Sequence, residues 1–280
     1  MSLNSPAKAN FHTHSTFCDG NNTPEEMILS AIEKGFDVLG FSGHSMYPFA
    51  STWHIPTNKH NEYVSEVRTL AEKYKNQIKI FLGFEVDYLP PLCQPVKSQF
   101  AEFKPDYLIS SVHYIMNEKG WFTVDNTPEE LSDGIKNCFN GNVKAAVCTY
   151  FELQRAMLKA GGFEIWGHPD LIRKRNGILR LFDENESWYK EELQLTAKAA
   201  AKAGVIAEIN TGAIARGAMD DTYPSEYFLK HLYEAGVPVC VNSDAHDTKN
   251  LDCAFDRAVA KAKKAGYKEL NYPCGIVIKF

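Results

Sequence analysis

The sequence lacks the apolar runs and the apolar leader that membrane proteins and secreted proteins carry. None of its runs approaches the roughly 18 residues that a membrane-spanning helix needs. The first segment, Met1–Ala9, is short and polar, unlike the apolar stretch of a signal peptide. We therefore expect no membrane partner, and we predict a cytoplasmic protein.

The sequence also lacks any CxxC pair, although it contains seven cysteines. An odd and irregularly spaced set favours reduced thiols over a disulfide framework, and it offers no cysteine pair with zinc-finger spacing. The cysteines are Cys18, Cys93, Cys138, Cys148, Cys240, Cys253 and Cys274.

Linkers, low-complexity tracts and long blocks of like charge are absent as well. The 30 lysines and arginines are scattered among 35 acidic residues, which gives a formal net charge of −5. A scattered and slightly outnumbered basic set argues against a nucleic-acid-binding surface. With 44% hydrophobic residues the chain can bury a substantial core, and we predict one domain over residues 1–280.

What recurs along the chain is a short apolar run followed by a polar turn and a helical stretch. Each run is mostly apolar, as expected of a strand buried on both faces of a parallel sheet. The predicted strands are Asn10–His14, Val38–Ser42, Ile78–Glu85, Tyr107–Val112, Phe163–Gly167, Val205–Asn210 and Val239–Ser243.

Helix-start and helix-stop signals lie between these strands. The segment Thr23–Glu26 reads as a capping box with proline at the first helical position, and Thr127–Glu130 repeats the pattern. Gly35 and Gly204 are typical helix ends. Further helices are predicted at Asn58–Tyr74, Val143–Lys159, Ser187–Ala203, Ser225–Glu234 and Asp252–Lys264.

Seven strands alternating with helices predict an α/β fold with a parallel barrel of the TIM type, complete or missing one unit. A doubly wound open sheet is the competing architecture. The barrel is favoured because it brings more strand ends to one place, which the polar residues described next require.

Nearly every predicted strand ends in a residue able to bind a metal ion. The first strand ends in His12-Thr13-His14, where residues two apart point the same way and can face one cation. Barrel enzymes carry their active sites at these strand ends. The predicted ligands are His12, His14, Asp19, His44, Glu85, His113, His168, Asp244 and His246.

Nine ligands exceed the need of one or two compact sites, because a zinc ion usually takes three or four protein ligands. We therefore predict three clustered divalent cations, with Glu85 as a bridging carboxylate. Histidine and carboxylate ligands suit zinc, manganese or iron and leave the choice among them open.

The ordered set of strand-end motifs resembles the polymerase and histidinol phosphatase (PHP) superfamily over almost the whole chain. Within it, the chain is most similar to the monofunctional histidinol-phosphate phosphatases, through the segments Gly83–Tyr88, Gly167–Ile172, Glu208–Gly212 and Thr222–Ser225. The superfamily motifs themselves are His12-Thr13-His14, Gly43-His44, Glu85, Ser111-Val112-His113, Gly167-His168 and Ser243-Asp244-Ala245-His246.

The resemblance implies a distorted seven-stranded (β/α)7 barrel with a trinuclear centre. It assigns the first cation to His12, His14, Glu85 and Asp244. It assigns the second cation to Glu85, His113 and His168, and the third to Asp19, His44 and His246. At Asp19 the sequence departs from the phosphatase branch, many of whose members carry a histidine near that position.

The expected activity is hydrolysis of a small phosphate monoester by a metal-bound hydroxide, with no protein nucleophile. The resemblance implies that the substrate is L-histidinol phosphate, in histidine biosynthesis. The expected catalytic residues are Glu85 and Asp244, which would act through the metal-bound hydroxide. One alternative is a PHP phosphoesterase for nucleotides or other small phosphate esters. An amidohydrolase-type barrel is a second alternative, and a PHP module that binds metal without turnover is a third.

Substrate contacts beyond the metal ions are predicted from basic residues that follow the strands. Arg216 lies after the sixth strand and Arg173 beyond the fifth, and arginine suits bidentate phosphate contact. His54, in the long loop after the second strand, is a candidate for contact with the head group of the substrate.

Overall fold

The computed structural model describes residues 8–280, so Met1–Ala7 of the predicted domain lie outside the described part. The strands are β1 (Ala9–Asn10), β2 (Val38–Ser45), β3 (Lys79–Asp87), β4 (Tyr107–Ser111), β5 (Tyr114–Asn117), β6 (Gly120–Thr123), β7 (Ile165–Trp166), β8 (Ile206–Asn210), β9 (Val239–Asn242), β10 (Glu269–Tyr272) and β11 (Ile276–Lys279). The α-helices are α1 (Pro24–Glu33), α2 (His60–Tyr74), α3 (Pro128–Phe139), α4 (Val143–Ala160), α5 (Asn176–Leu179), α6 (Ser187–Ala203), α7 (Gly212–Ala215), α8 (Glu226–Glu234) and α9 (Phe255–Ala265).

Seven strands form one parallel sheet in the order β1-β2-β3-β4-β7-β8-β9. The sheet closes just beyond β1 and β9, where Thr13 pairs with Ala245 in parallel. Across this seam the His14 amide donates to the Ala245 carbonyl oxygen at 2.9 Å, and the Ala245 amide donates to the His12 carbonyl oxygen at 3.3 Å. The seven-stranded parallel barrel predicted from the sequence is confirmed, and the open sheet is excluded.

The helices begin where the capping residues predict. Before α1 the Thr23 hydroxyl accepts the Glu26 amide at 3.3 Å, and the Glu26 carboxylate accepts the Thr23 amide at 2.8 Å. Before α3 the Thr127 hydroxyl accepts the Glu130 amide at 3.0 Å. These bonds satisfy amides that a helix start otherwise leaves unpaired. The long helix α6 covers the predicted range Ser187–Ala203 and ends at Gly204, whose φ is +68°.

An aromatic cluster fills the barrel below the polar strand ends. Tyr107 lies over Gly40 and Gly83, where a Cβ atom would come 2.5 Å from its hydroxyl oxygen and 2.5 Å from its ring, respectively. The Tyr107 hydroxyl contacts the carbonyl oxygens of Phe11 and Phe41 at 2.6 and 2.9 Å. The first three strands are thereby joined through one side chain of the fourth, which fixes the strand ends relative to one another.

Two antiparallel hairpins add to the barrel and were not predicted. One pairs β5 with β6 directly after β4, and the other pairs β10 with β11 at the end of the chain. The second reaches the barrel core through Tyr272, whose hydroxyl lies 3.1 Å from the Val241 carbonyl oxygen. Among residues 8–280, no helix is both long and apolar enough to cross a membrane.

Candidate metal centre

The barrel brings all nine predicted ligands to one end. Their side chains form four overlapping groups of three or four, and within each group the ligand atoms lie within 4.8 Å of one another. The groups are His14, Asp19, His44 and His246; His12, His168 and Asp244; His12, His14 and Glu85; and His44, Glu85 and His113. Six separate strand ends therefore supply one cluster.

Glu85 lies at the middle of this cluster, and its two oxygens face different histidines. Oε2 lies 3.0 Å from His12 Nε2, 3.6 Å from His14 Nε2 and 2.9 Å from His44 Nδ1. Oε1 lies 2.8 Å from His168 Nε2 and 3.6 Å from His113 Nε2. A carboxylate divided between two sets of imidazoles has the arrangement that a bridging ligand needs.

Two further carboxylates lie on either side of the His14 ring. Asp244 Oδ1 lies 3.3 Å from His14 Nε2 and 3.8 Å from His12 Nε2. Asp19 Oδ1 lies 3.8 Å from His14 Nδ1 and 3.7 Å from His44 Nε2, and Asp19 Oδ2 lies 3.1 Å from His246 Nε2. The set around Asp19 is the more exposed one and opens toward the solvent.

The backbone is strained at two of the predicted ligands. His168 follows β7 with a φ of +23°, and Asp244 follows β9 with a φ of +51°. A residue other than glycine rarely has a positive φ, and such strain persists where surrounding structure imposes it, often at functional sites. Both side chains belong to the ligand cluster.

Unpaired polar atoms in the cluster fit a bound cation. In the described chain five buried atoms here accept or donate no hydrogen bond: His12 Nε2, His14 Nε2, His44 Nδ1, His168 Nδ1 and Glu85 Oε2. Buried polar atoms are nearly always paired, so a group of exceptions needs an explanation. Four of the five, all but His168 Nδ1, meet at Glu85 Oε2. Imidazole nitrogens and carboxylate oxygens are the donor set that zinc and related divalent ions prefer.

Electrostatics keep the central carboxylates ionised. Burial alone raises the pKa of Glu85, but the neighbouring His12, His44 and His113 rings hold it well below its ordinary value. Burial together with the His246 and His44 rings lowers the pKa of His14 to about 3. His14 is therefore a neutral imidazole with a free lone pair, the form that binds metal.

Two buried carboxylates orient the histidines by hydrogen bonds on the side away from the ligand cluster. They were not predicted from the sequence as site residues. Glu208 in β8 accepts from His12 Nδ1 at 2.7 Å and from the His168 amide at 2.9 Å. Asp87 at the end of β3 accepts from His113 Nδ1 at 2.5 Å. The bonds from the His12 and His113 rings direct the other ring nitrogen at a metal ion. A carboxylate inside an otherwise apolar strand was the available signal.

A cavity of about 410 Å³ adjoins the cluster. Six predicted ligands line it, namely Asp19, His44, His113, His168, Asp244 and His246. Its other walls carry three basic side chains, Lys174, Arg175 and Arg216, together with Asp125 and the ring of Trp53. The cavity thus combines a set of candidate ligands with cationic groups suited to an anionic substrate.

Arg216 is the predicted basic residue that the structure places on the cavity wall. Its Nη2 donates to Asp244 Oδ2 at 2.8 Å, and its Nη1 donates to the Asp244 carbonyl oxygen at 3.1 Å. Gly212 leaves room for this contact, because a Cβ there would lie 2.6 Å from Arg216 Nη2. The guanidinium is one-third exposed and faces the ligand cluster.

Arg173, the second predicted phosphate contact, lies away from the cavity. Its guanidinium is buried, donates to Glu184 at 2.7 Å and to Asp221 at 3.1 Å, and lies 3.5 Å from Asp170. A guanidinium enclosed by three carboxylates has no free face for phosphate. Its position corrects the expectation and indicates a structural ion pair, while the neighbouring Lys174 and Arg175 line the cavity instead.

His54 also lies behind the cavity wall and not on it. The ring is 2% exposed. Its Nδ1 accepts from the Ser51 amide at 3.2 Å, and its Nε2 lies 2.5 Å from Asp87 Oδ2. With both nitrogens engaged inside the protein, the ring cannot contact a head group, and the expected substrate contact is corrected.

Known proteins resemble this chain over most of its length. The PHP domain family matches residues 10–212. A probable histidinol-phosphatase of Deinococcus radiodurans is 25% identical over 264 residues, which are 93% of this chain and 95% of the relative. A probable histidinol-phosphatase of Schizosaccharomyces pombe is 28% identical over 275 residues, covering 92% of this chain and 87% of the relative.

Solved structures share the fold. The crystal structure of a histidinol phosphate phosphatase from Lactococcus lactis, in complex with zinc, L-histidinol and phosphate, superposes with a TM-score of 0.73 at 22% identity. The match covers 97% of this chain and 99% of the other. A putative histidinol phosphatase from Listeria monocytogenes gives a TM-score of 0.77 at 22% identity, over 89% and 99% of the two chains.

Proposed function

The chain belongs to the PHP domain family, and from this premise we propose that it is a metal-dependent phosphatase that hydrolyses L-histidinol phosphate to L-histidinol and phosphate. This reaction belongs to histidine biosynthesis. The observation that carries the proposal is the division of Glu85 between two sets of histidines beside a cavity with cationic walls. The names of the Deinococcus and Schizosaccharomyces relatives support the choice of substrate.

Three cations would be held by the nine clustered side chains. His12, His14, Glu85 and Asp244 would hold one, Glu85 with His113 and His168 a second, and Asp19 with His44 and His246 a third. When bound, such ions supply a nucleophilic oxygen at neutral pH and neutralise charge on the phosphoryl oxygens. Glu85 and Asp244 are the proposed catalytic residues, because each contacts two of the histidine sets.

Arg216 would bind the phosphoryl group. Its side chain is anchored through Asp244 and faces the ligand cluster, so a phosphate near the cations lies within its reach. A planar guanidinium can donate two parallel hydrogen bonds to phosphate oxygens. Arg175 adds positive charge on the neighbouring wall of the cavity, whereas Lys174 there is paired with Asp125 at 2.8 Å.

Asp125 would select the leaving group. One of its oxygens accepts from Lys174 at 2.8 Å, whereas in residues 8–280 the other accepts no hydrogen bond. Burial alone raises its pKa, but the Lys174 ammonium and the His113 ring hold the pKa of Asp125 below its ordinary value. An ionised carboxylate in a phosphate-binding cavity repels the phosphate and favours a leaving group with a positive charge. The ammonium group of histidinol carries one.

The proposal is tested by the substrate preference of the zinc-loaded protein. We expect kcat/KM for L-histidinol phosphate to exceed that for p-nitrophenyl phosphate and for AMP by at least about 100-fold, or about 2.7 kcal/mol. Asp125→Asn should reduce only the value for histidinol phosphate, by about tenfold. Asp133→Asn, on the exposed face of α3, serves as the matched control. A preference for AMP would replace the proposal with the nucleotide alternative.

A further inference from the structure

The loop between β2 and the next helical turn, residues 46–56, has an exposed tip and a buried end. Pro48, Phe49 and Ala50 are exposed at the tip. His54 and Ile55 are 2% and 0% exposed at the end. The loop also contributes Thr52 and Trp53 to the cavity wall. Before the tip, Tyr47 holds the loop, because its hydroxyl donates to Glu102 at 2.8 Å and its carbonyl oxygen accepts from Gln99 Nε2 at 2.9 Å. Beyond the exposed tip, the position of residues 51–55 depends on the contacts described next.

The first anchor is the His54 ring, and its hydrogen bonds fix its tautomer. Nδ1 accepts from the Ser51 amide at 3.2 Å and lies 2.6 Å from the Ser51 hydroxyl, which can also donate to it, so a neutral ring carries its proton on Nε2. Nε2 therefore donates to Asp87 Oδ2, which is 2.5 Å away. His54 is fully paired and fastens the loop to the end of β3.

The other oxygen of the same carboxylate holds a proposed metal ligand. Asp87 Oδ1 accepts from His113 Nδ1 at 2.5 Å, which turns His113 Nε2 toward Glu85. Asp87 is 1% exposed, and in residues 8–280 these two rings are its hydrogen-bond donors. A buried carboxylate needs its donors, so loss of one leaves an unpaired oxygen and frees the carboxylate to turn.

The Trp53 ring completes the connection on the side of the cavity. Its centroid lies 3.9 Å from that of His54 and meets the His44 and His113 rings edge-on, at 4.7 and 5.3 Å. The Ile55 amide donates to the His44 carbonyl oxygen at 2.9 Å. The wall of the cavity therefore rests directly on two proposed metal ligands.

We propose that Asp87 and His54 are positioning residues that latch the 46–56 loop onto the metal centre, so that cation binding at His113 and closure of the Trp53 wall stabilise each other. The inference rests on the proposed metal centre but not on the identity of the substrate. His54 then acts through Asp87, and this role replaces the substrate contact that was expected from the sequence. The coupling is reciprocal: what loosens the loop weakens metal binding, and what removes the metal loosens the loop.

The test measures metal affinity and loop protection in the full chain. Zinc affinity is measured by competition with a chromophoric chelator, and amide hydrogen exchange over residues 51–55 is followed with and without zinc. In the wild type, zinc should slow this exchange. His54→Ala removes the latch and replaces no proposed ligand, and it should weaken zinc binding by about tenfold and leave the exchange fast with zinc present. Asp87→Asn should weaken zinc binding by about 10- to 100-fold.

Two further variants separate the latch from a general effect on folding. His54→Gln keeps an N–H donor for Asp87 and should recover part of the zinc affinity. His231→Ala, in α8 away from the cavity, is the matched control and should behave as the wild type. Wild-type zinc affinity together with zinc-dependent protection in His54→Ala overturns the latch alone. Failure of the wild type to bind zinc overturns the metal centre and the latch together, whereas poor turnover of histidinol phosphate with both results intact counts only against the substrate.

Discussion

At the scale of single residues, the chemistry depends on which atoms of a side chain face which neighbours. Glu85 is fully buried, and each of its oxygens faces its own set of imidazoles. The Ser111 hydroxyl also donates to Oε1 at 2.6 Å. A glutamine amide in its place would point its NH2 donor at one of these two sets of imidazoles. It would also lack the negative charge that attracts the cations. The negative charge of Glu85 is therefore the property to remove.

Glu85→Gln should reduce zinc affinity and the rate of phosphate release together, each by more than about 100-fold, a larger loss than the 10- to 100-fold typical of residues behind the ligands. Metal content per chain and phosphate release measure the two effects. Glu62→Gln is the matched control, because Glu62 is more than half exposed on α2 and pairs with Lys59. Normal metal content in Glu85→Gln would refute the bridging role.

Substitutions of the two arginines that the sequence predicted as phosphate contacts should have different effects. Arg216→Ala should lower kcat/KM by about 100-fold, or about 2.7 kcal/mol, because a charge-assisted phosphate contact is lost. Arg173→Ala should instead lower the free energy of unfolding by about 3 kcal/mol, since it leaves buried Asp170 without its cation. Steady-state kinetics and urea unfolding of both variants check the contrast. A large kinetic defect in Arg173→Ala at normal stability would contradict it.

At the scale of elements, the sequence predicted most of the barrel because the strands are apolar runs bounded by clear turn signals. All seven predicted barrel strands exist, and α4 begins at the predicted Val143 and α6 at the predicted Ser187. The ligands were predictable for the same reason, as polar residues at the ends of apolar runs. The group of ligands around Asp19, which opens to the solvent, was also predictable from the order of the strands.

What the sequence did not predict depends on contacts between distant segments. The β5–β6 hairpin is short and joined through Glu118 and Lys119, which carry no strong turn signal. His54 and Asp87 are 33 positions apart, and no local pattern joins them. Arg173 and Lys174 are adjacent, so only the backbone path after β7 decides which of them faces the cavity. Tertiary geometry determined each of these.

Tyr107 offers a test of how the barrel strands are held together. Tyr107→Phe removes the hydroxyl that contacts the carbonyl oxygens of Phe11 and Phe41. The free energy of unfolding should fall by about 1–3 kcal/mol, because two buried carbonyl oxygens lose the one hydroxyl that they share. Urea unfolding measures this loss, and kcat/KM should change less than about threefold if the strand ends keep their positions. An unchanged free energy of unfolding would mean that water satisfies both carbonyls.

At the scale of the whole molecule, the metal centre and the fold depend on each other. The cluster packs imidazole rings closely, with His14 and His246 centroids 4.1 Å apart and His14 and His44 centroids 4.2 Å apart. The ligands come from strand ends on all sides of the barrel, from β1 to the segment after β9. Cations bound there would link strands that are distant in sequence and would stabilise only the folded chain.

Removal of metal should therefore lower the melting temperature. A cation present at 1,000 times its Kd contributes about 4 kcal/mol, and at this chain length that shifts Tm by about 8 °C. Differential scanning calorimetry with and without EDTA measures the shift. Zinc added back should restore Tm, and sodium chloride at equal ionic strength should not. A Tm insensitive to EDTA would argue against a metal centre that spans the barrel.

The number of metal ions bound per chain decides whether the nine clustered side chains form a metal centre. The purified chain is analysed for zinc, manganese and iron by elemental mass spectrometry, and the same sample is assayed for phosphate release from L-histidinol phosphate before and after chelation. We expect about three divalent ions per chain and loss of phosphate release when they are removed. Fewer than one ion per chain, with phosphate release unaffected by chelation, would contradict this expectation.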